Sequence, residues 1–344
     1  MRVLFHDAVS DYAYDADVMS RRGVGGTEAS VVRVAEGLSQ TFEVAVAQRG
    51  RSGAAMPHAR LRYVALEDPA PFGGAAPESV VVVRKHRDVI RLRSRFPGAR
   101  LLLWIHNWQR PETLLLRARL ARSTGAIVTV SEAHREATRR LMNHPLARAL
   151  GGRIPVLRIY NPVDEGLAPD DTPVDPDRLI CLSNKGTEQV LSTFREVRRA
   201  LPSLRLAVTG NSLEEVMRRS PLAARLARQP GVELLGRLPQ RELFRKVRES
   251  LCVFYPQDAH AETFGLVFAE SNALGTPVLA HDFGAAREVL SSPDQLVDVR
   301  NMRAVIERLR AWRDGARPKT FLRPEFRASA VVAEWRRLLG AVPP

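Results

Sequence analysis

Residues 251–290 read LCVFYPQDAHAETFGLVFAESNALGTPVLAHDFGAAREVL. The apolar run Cys252–Tyr255 reads as a buried strand stopped by Pro256. A polar loop delivers Glu262, and Thr263-Phe264-Gly265 opens a helical pattern with Leu266, Val267, Glu270 and Leu274 on neighbouring faces. Gly275 is placed to end that helix, and Thr276-Pro277 blocks its continuation. Val278–Ala280 makes a second short strand, and Asp282-Phe283-Gly284 turns into a helix through Glu288 and Leu290. The stretch therefore alternates strand, loop and helix twice.

Two carboxylates mark the first of these helices. Glu262 stands just before it and Glu270 inside it, with seven residues between them. A helix N-terminus presents N–H groups and partial positive charge, which suits an anion. A residue as small as Gly265 lets a ligand approach the backbone. A carboxylate at Glu270 suits the two hydroxyls of a ribose, and one at Glu262 suits the hydroxyls of a neighbouring sugar. Together these groups fit a nucleotide diphosphate joined to a sugar. A single Glu on such a helix is more often only solvated, so the weight rests on the whole string.

Outward from this stretch, 344 residues are enough for two domains of ordinary size. The 45% hydrophobic and 26% charged content is that of a soluble globular chain. No apolar run approaches the ~20 residues that span a bilayer, and Met1-Arg2-Val3-Leu4-Phe5 turns polar too soon for a signal peptide. The default expectation is a cytoplasmic protein. Cys181 and Cys252 lie in apolar runs and read as buried thiols, with no disulfide framework. The net charge is +14 and almost entirely arginine, since the only lysines are Lys85, Lys185, Lys246 and Lys319. So basic a chain either points to a polyanionic partner or carries a solvated, arginine-rich surface, its arginines being scattered and not bunched in one tail. Aromatics at 6% and the lack of a nucleic-acid module make nucleic acid the weaker option. An anionic membrane surface or a phosphorylated acceptor is the stronger one.

From the N-terminus, Val3–Phe5 reads as a strand ending at His6-Asp7. The Gly-rich segment Gly23-Val24-Gly25-Gly26-Thr27-Glu28 precedes a helix with apolar residues at 31, 32, 34, 35 and 38. Such a turn either cradles a phosphate or sugar or is a flexible connection. Further strands are expected at Val44–Ala47, Leu61–Ala65, Ser79–Val83, Leu101–Ile105, Ala126–Val130 and Val156–Ile159. Leu101–Ile105 ends in His106, the position at which open α/β sheets meet ligands, although a histidine there also serves structure alone. Pro111–Ser123 and Ser131–Leu141 read as helices.

The Pro- and Asp-rich stretch from Pro162 to Asp177 reads as a linker, its acids solvated rather than metal-binding. After it, Leu179–Leu182 leads through Ser183-Asn184-Lys185-Gly186 into a helix ending near Ala200. A lysine where a strand hands over to a helix can reach a diphosphate. Leu204–Val208 and Val232–Leu235 are further strands, and Pro239–Ser250, Met302–Trp312 and Glu325–Leu339 are helices.

Glu262, Thr263-Phe264-Gly265-Leu266, Glu270, Gly275-Thr276-Pro277-Val278 and Gly284…Glu288 together resemble the E-x7-E signature region of retaining GT-B glycosyltransferases, most nearly those of family four. Tyr160-Asn161-Pro162-Val163-Asp164 and Lys185-Gly186 are similar to further segments of that family. The family's arginine before Lys-Gly is missing here, and the loop is shorter.

The resemblance implies two Rossmann-like domains facing an interdomain cleft, at residues 1–163 and 164–322. A C-terminal helix in 323–344 would cross back to the first domain. It implies a metal-independent hexosyltransferase with no cofactor, using a UDP-, GDP- or ADP-sugar and a carbohydrate or lipid-linked acceptor. By resemblance, Glu262 and His106 would be the catalytic residues. The donor would be bound by Gly25, Gly26, Ser183, Asn184, Lys185, Thr263, Phe264, Gly265, Leu266, Val267 and Glu270. Two alternatives stay open: a sugar-nucleotide epimerase of the same fold, and a sugar-nucleotide-binding subunit without activity. Basic surface and glycolipid chemistry together extend the expected location to the inner face of the membrane.

Overall fold

In the computed structural model, residues 1–149, 151–182, 185–210 and 213–340 are described. Ser183 and Asn184 therefore lie outside the described residues. The chain divides into two compact units. The first comprises Met1–Met19, Gly26–Val163 and Pro324–Pro344; the second comprises Ser20–Gly25 and Asp164–Arg323.

The first unit is built on strands β1 (Arg2–Asp7), β2 (Glu43–Gln48), β3 (Ala55–His58), β4 (Leu61–Ala65), β5 (Ser79–Val83), β6 (Arg100–Trp104), β7 (Ala126–Thr129) and β8 (Val156–Arg158). Their order is β3-β4-β2-β1-β5-β6-β7-β8, and only the β3–β4 pair is antiparallel. The central strands are continuous apolar runs because helices cover both faces. Ser79-Val80-Val81-Val82-Val83 is buried throughout. After β4 the chain returns to the other side of β1 with β5, so the order reverses between β1 and β5. Ligands of open α/β sheets bind at the carboxyl ends of strands beside such a reversal.

The C-terminal helix Ala328–Gly340 packs on helix Gly26–Ser39 of this same unit. Trp335, fully buried, meets Trp104 at 5.0 Å and Phe5 at 6.4 Å between ring centres. Gly37 permits the approach, since a Cβ there would lie 2.4 Å from Val332 Cγ2. Arg336 Nη2 donates to the Gly37 carbonyl at 2.7 Å.

The second unit repeats the plan with β9 (Asp175–Cys181), β10 (Arg205–Thr209), β11 (Val232–Gly236), β12 (Ser250–Tyr255) and β13 (Val278–Ala280). The order is β11-β10-β9-β12-β13, all parallel, with its reversal between β9 and β12. Strand β9 starts at Asp175, inside the stretch expected to be linker. Asp175 N–H donates to the Glu249 carbonyl at 2.8 Å, and a register shift between Ser250 and Cys252 accommodates Pro176. The acids of the stretch meet arginines: Asp170 with Arg248, Asp175 with Arg205 and Asp177 with Arg313. Cys181 and Cys252 are fully buried and not joined in a disulfide, and burial pushes the Cys252 thiol up. Among the described residues, no helix is long and apolar enough to cross a membrane.

Candidate functional site

In the second unit, the reversal brings the loop after β9 to the loop after β12. Lys185 follows the first strand and Glu262 the second, and Lys185 Nζ donates to Glu262 Oε2 at 2.8 Å. The other carboxylate oxygen accepts the Tyr255 hydroxyl at 2.7 Å. Tyr255 is the last residue of β12, buried, with its ring edge-on to Phe268 at 5.2 Å. Glu262 is thus gripped from the sheet by a hydroxyl and from the β9 loop by a cation. Its side chain is 11% exposed and that of Lys185 54%, so the lysine is the more solvated partner.

The loop carrying Glu262 is itself pinned. Gln257, fully buried, accepts from the N–H groups of Ala259 and His260 through Oε1 and donates to the His260 carbonyl through Nε2. The Glu262 carbonyl accepts from Ala285 N–H at 3.0 Å. Gly284 makes that contact possible: its φ is +60°, and a Cβ there would sit 2.7 Å from the Glu262 carbonyl oxygen.

The helix after Glu262 runs Leu266–Ala273, starting three residues later than its expected opening at Thr263. Phe264 is buried in the core, and Gly265, at φ +84°, is the N-cap. The amides of Leu266 and Val267 fall in the first turn, where no intrahelical acceptor exists. At the far end, Gly275 N–H donates to the Asn272 carbonyl and Thr276 N–H to that of Ser271. This is the Schellman closure expected of a glycine stop. Glu270 is partly buried within the helix. A cavity of about 620 Å³ opens beside this site on Gly186, Thr187, Gln189, Ala259 and His260, and neither Glu262 nor Glu270 lines it.

In the first unit, His106 follows β6 and is 7% exposed, its ring 4.5 Å from that of Trp104. Burial, then the charge of Arg84 and then that of His134, push its pKa well below the ordinary value. The imidazole is therefore uncharged at neutral pH. His134 steadies the same loop: its Nε2 meets the Asn107 carbonyl at 3.0 Å, and its ring lies against Trp108. Its own N–H is capped by the Ser131 hydroxyl at 3.0 Å.

At the reversal of the first sheet lies a group that the sequence did not reveal. Arg84 Nη2 donates to both Asp7 oxygens, at 3.1 and 3.0 Å, and to Glu28 Oε1 at 2.9 Å. Asp7 also accepts the Tyr14 hydroxyl at 2.9 Å. All three charged side chains are at most 15% exposed. Burial opposes the charge of Arg84, but Asp7 and Glu28 outweigh it and hold its pKa above the ordinary value. Arg84 is also in the left-handed region, at φ +67°. No local sequence signal marks a bulky residue for that conformation.

Of the residues nominated from sequence, Lys185, Glu262, Gly265 and the first turn with Leu266 and Val267 stand together in the second unit, with Thr263 in the adjoining loop. Phe264 is a core residue there. Gly26 begins helix Gly26–Ser39, where Ser30 Oγ donates to its carbonyl at 2.8 Å, and Gly25 directly precedes it.

Residues 181–319 match the family model described as Glycosyl transferases group 1. The D-inositol 3-phosphate glycosyltransferase of Segniliparus rotundus is 29% identical over 215 residues, which cover 55% of this chain and 47% of that protein. The chain thus spans about half the length of the curated relative it matches. Two solved structures are similar over nearly their whole length. WaaG, a glycosyltransferase involved in lipopolysaccharide biosynthesis, has a TM-score of 0.64 at 12% identity, covering 99% of this chain and 100% of its own. The catalytic domain of starch synthase IV from Arabidopsis thaliana, bound to ADP and acarbose, has a TM-score of 0.63 at 10% identity, covering 98% of each. At such identities the likeness speaks for the fold. Residues 181–319 are thus similar to the glycosyl transferases group 1 family, and the fold of the chain is GT-B.

Proposed function

We propose that the protein is a retaining glycosyltransferase that moves a sugar from a nucleotide-diphosphate sugar to an acceptor, in bacterial cell-surface glycan or glycolipid synthesis. The observation that carries this reading is the grip of Lys185 and Tyr255 on Glu262, beside the helix at Leu266, at the reversal of the second sheet. As the bond from sugar to diphosphate breaks, negative charge grows on the leaving group. The amides at Gly265, Leu266 and Val267, with Lys185, supply the donors that stabilise it. Lys185 is half-exposed, so its pair with Glu262 is cheap to exchange for a diphosphate. Glu262 then orients the sugar, and Glu270 holds the ribose. The acceptor attacks the face that the diphosphate leaves, so no protein nucleophile takes part. His106, neutral and buried, suits a hydrogen bond to a sugar hydroxyl better than an ionic role.

The ADP held by the starch synthase domain supports a nucleotide-diphosphate sugar as donor, drawn from the UDP, GDP and ADP series. For the acceptor, the relative's name carries a phosphorylated polyol, and a net charge of +14 favours an anionic partner such as a phosphorylated or lipid-linked sugar. Glycolipid acceptors would place the protein at the inner membrane face, held by charge. Glu262→Ala and Lys185→Ala should each abolish measurable donor turnover while the protein stays folded. Wild-type turnover in both would overturn the reading.

A further inference from the structure

A cavity of about 550 Å³ lies wholly within the first unit, past the carboxyl ends of β1, β2, β4 and β5. It straddles the reversal between β1 and β5, where an open α/β sheet takes its ligands. Four cations line it, Arg49, Arg51, Lys85 and Arg91, against one carboxylate, Glu67.

Three of these cations have well-tied mounts. Arg49 N–H donates to the Asp7 carbonyl at 3.1 Å. Arg51 is tied to Asp15 at 2.7 Å, to Gln48 Oε1 at 2.9 Å and to the Tyr14 carbonyl at 3.2 Å. Lys85 N–H donates to the Val83 carbonyl at 2.8 Å across Arg84 at φ +67°. That is a γ-turn of the strained kind, which persists only where its surroundings over-determine it. The grip of Asp7 and Glu28 on the Arg84 guanidinium is that over-determination. With Arg84 drawn inward, Lys85 is left to the cavity.

The remaining ion pairs are loose. Lys85 lies 3.7 Å from Asp88 and Arg91 lies 3.6 Å from Glu67, with the cationic side chains 48% and 55% exposed. Pairs of this kind contribute little and are readily exchanged for a ligand. Arg49 is exposed and makes no ion pair among the described residues.

We infer that this cavity binds an anionic group of the acceptor, a phosphate monoester. Two negative charges on three equivalent oxygens match several converging cations better than a carboxylate does. The arginine forks in particular suit phosphate oxygens. Only the word acceptor rests on the glycosyltransferase reading; the anion site stands on the first unit alone.

Calorimetry on the full chain at low salt tests the assignment, with glucose 6-phosphate, glucose, and vesicles of phosphatidylcholine with or without phosphatidic acid as probes. Saturable binding of glucose 6-phosphate but not glucose, weakening with salt, is expected. The double variant Arg49→Ala/Lys85→Gln should lose roughly tenfold or more in affinity, and so should Arg91→Ala, which guards against a folding defect in the double variant. Binding confined to the phosphatidic acid vesicles would keep the monoester and assign it to a lipid headgroup. Binding of neither phosphate ester, or wild-type affinity in all variants, would overturn the proposal. ADP and UDP titrations on the same samples separate the two claims. Failure of nucleotide binding contradicts the donor reading and leaves the anion result standing.

Discussion

Glu262 has its two carboxylate oxygens assigned to different partners, Lys185 on one and Tyr255 on the other. The division has a consequence for catalysis. In the proposed reaction the lysine would leave for a diphosphate, whereas the buried hydroxyl would keep the carboxylate aimed at the sugar. Tyr255→Phe should therefore lower donor turnover by about tenfold, the worth of one hydrogen bond to a charged group at ~1.4 kcal/mol. The melting temperature should change little, because the ring packing on Phe268 is retained. Turnover unchanged in that variant would show that the tyrosine does not hold the carboxylate. At this scale, the sequence makes single residues legible but not their partnerships. Lys185 and Glu262 each stand out at a strand-to-helix handover, yet 77 positions separate them. The cluster of Asp7, Glu28 and Arg84 joins three strand and helix ends and turns on one left-handed arginine. Nothing in the neighbours of Arg84 announces that conformation, and a glycine at the same place would have drawn attention.

At the scale of elements, the returning helix Ala328–Gly340 does more than cover a surface. It seats Trp335 against Phe5 and Trp104, with Gly37 clearing space for Val332. Trp335→Ala should cost the first unit about 3–5 kcal/mol in chemical denaturation, the usual range for emptying a large aromatic site. A loss below ~1 kcal/mol would mean that the helix is not integral to that core. The strands are legible because sheets covered on both faces write themselves as unbroken apolar runs, as in Ser79–Val83 and Cys252–Tyr255. Helix His86–Arg95 goes unread for the opposite reason. It is dense in arginine and buries only Asp88, Val89 and Leu92. Strand β3 is equally silent, since its Ala-Met-Pro-His sequence is largely exposed at the sheet edge. The late start of the Leu266 helix follows from Phe264, whose burial favours a turn at Gly265 over another helical step.

At the scale of the whole molecule, two sheets, parallel but for the edge pair β3–β4, with their order reversals are what the alternating βα pattern implies, and both reversals gather charged residues at strand ends. The same burial that shapes those ends makes stability depend on pH. His134 is held at about 4 by burial, and His106 is also pushed down by burial and by Arg84. Unfolding restores the ordinary value near 6.5, so below that pH the unfolded chain takes protons that the folded one refuses. This contribution is fully present above pH ~6.5 and is lost as the pH falls from there toward 4. For His134 the loss is roughly 1.4 kcal/mol per pH unit, and His106 acts in the same direction. Urea titrations at pH 7.5 and 5.0 should show the first unit weakened at the lower pH, and equal stability at both would contradict the burial of these rings in neutral form.

The most direct test of the central claim is thermal unfolding of the intact chain with and without UDP-, GDP- and ADP-sugars. A donor at a hundredfold excess over its dissociation constant adds ~2.7 kcal/mol to the folded state. For a domain of this size, that raises the melting temperature by about 5–10 °C. Such a rise is expected with one of the three nucleotide series, and its loss in Lys185→Ala. No rise with any of them, at concentrations where the protein is otherwise stable, would contradict it.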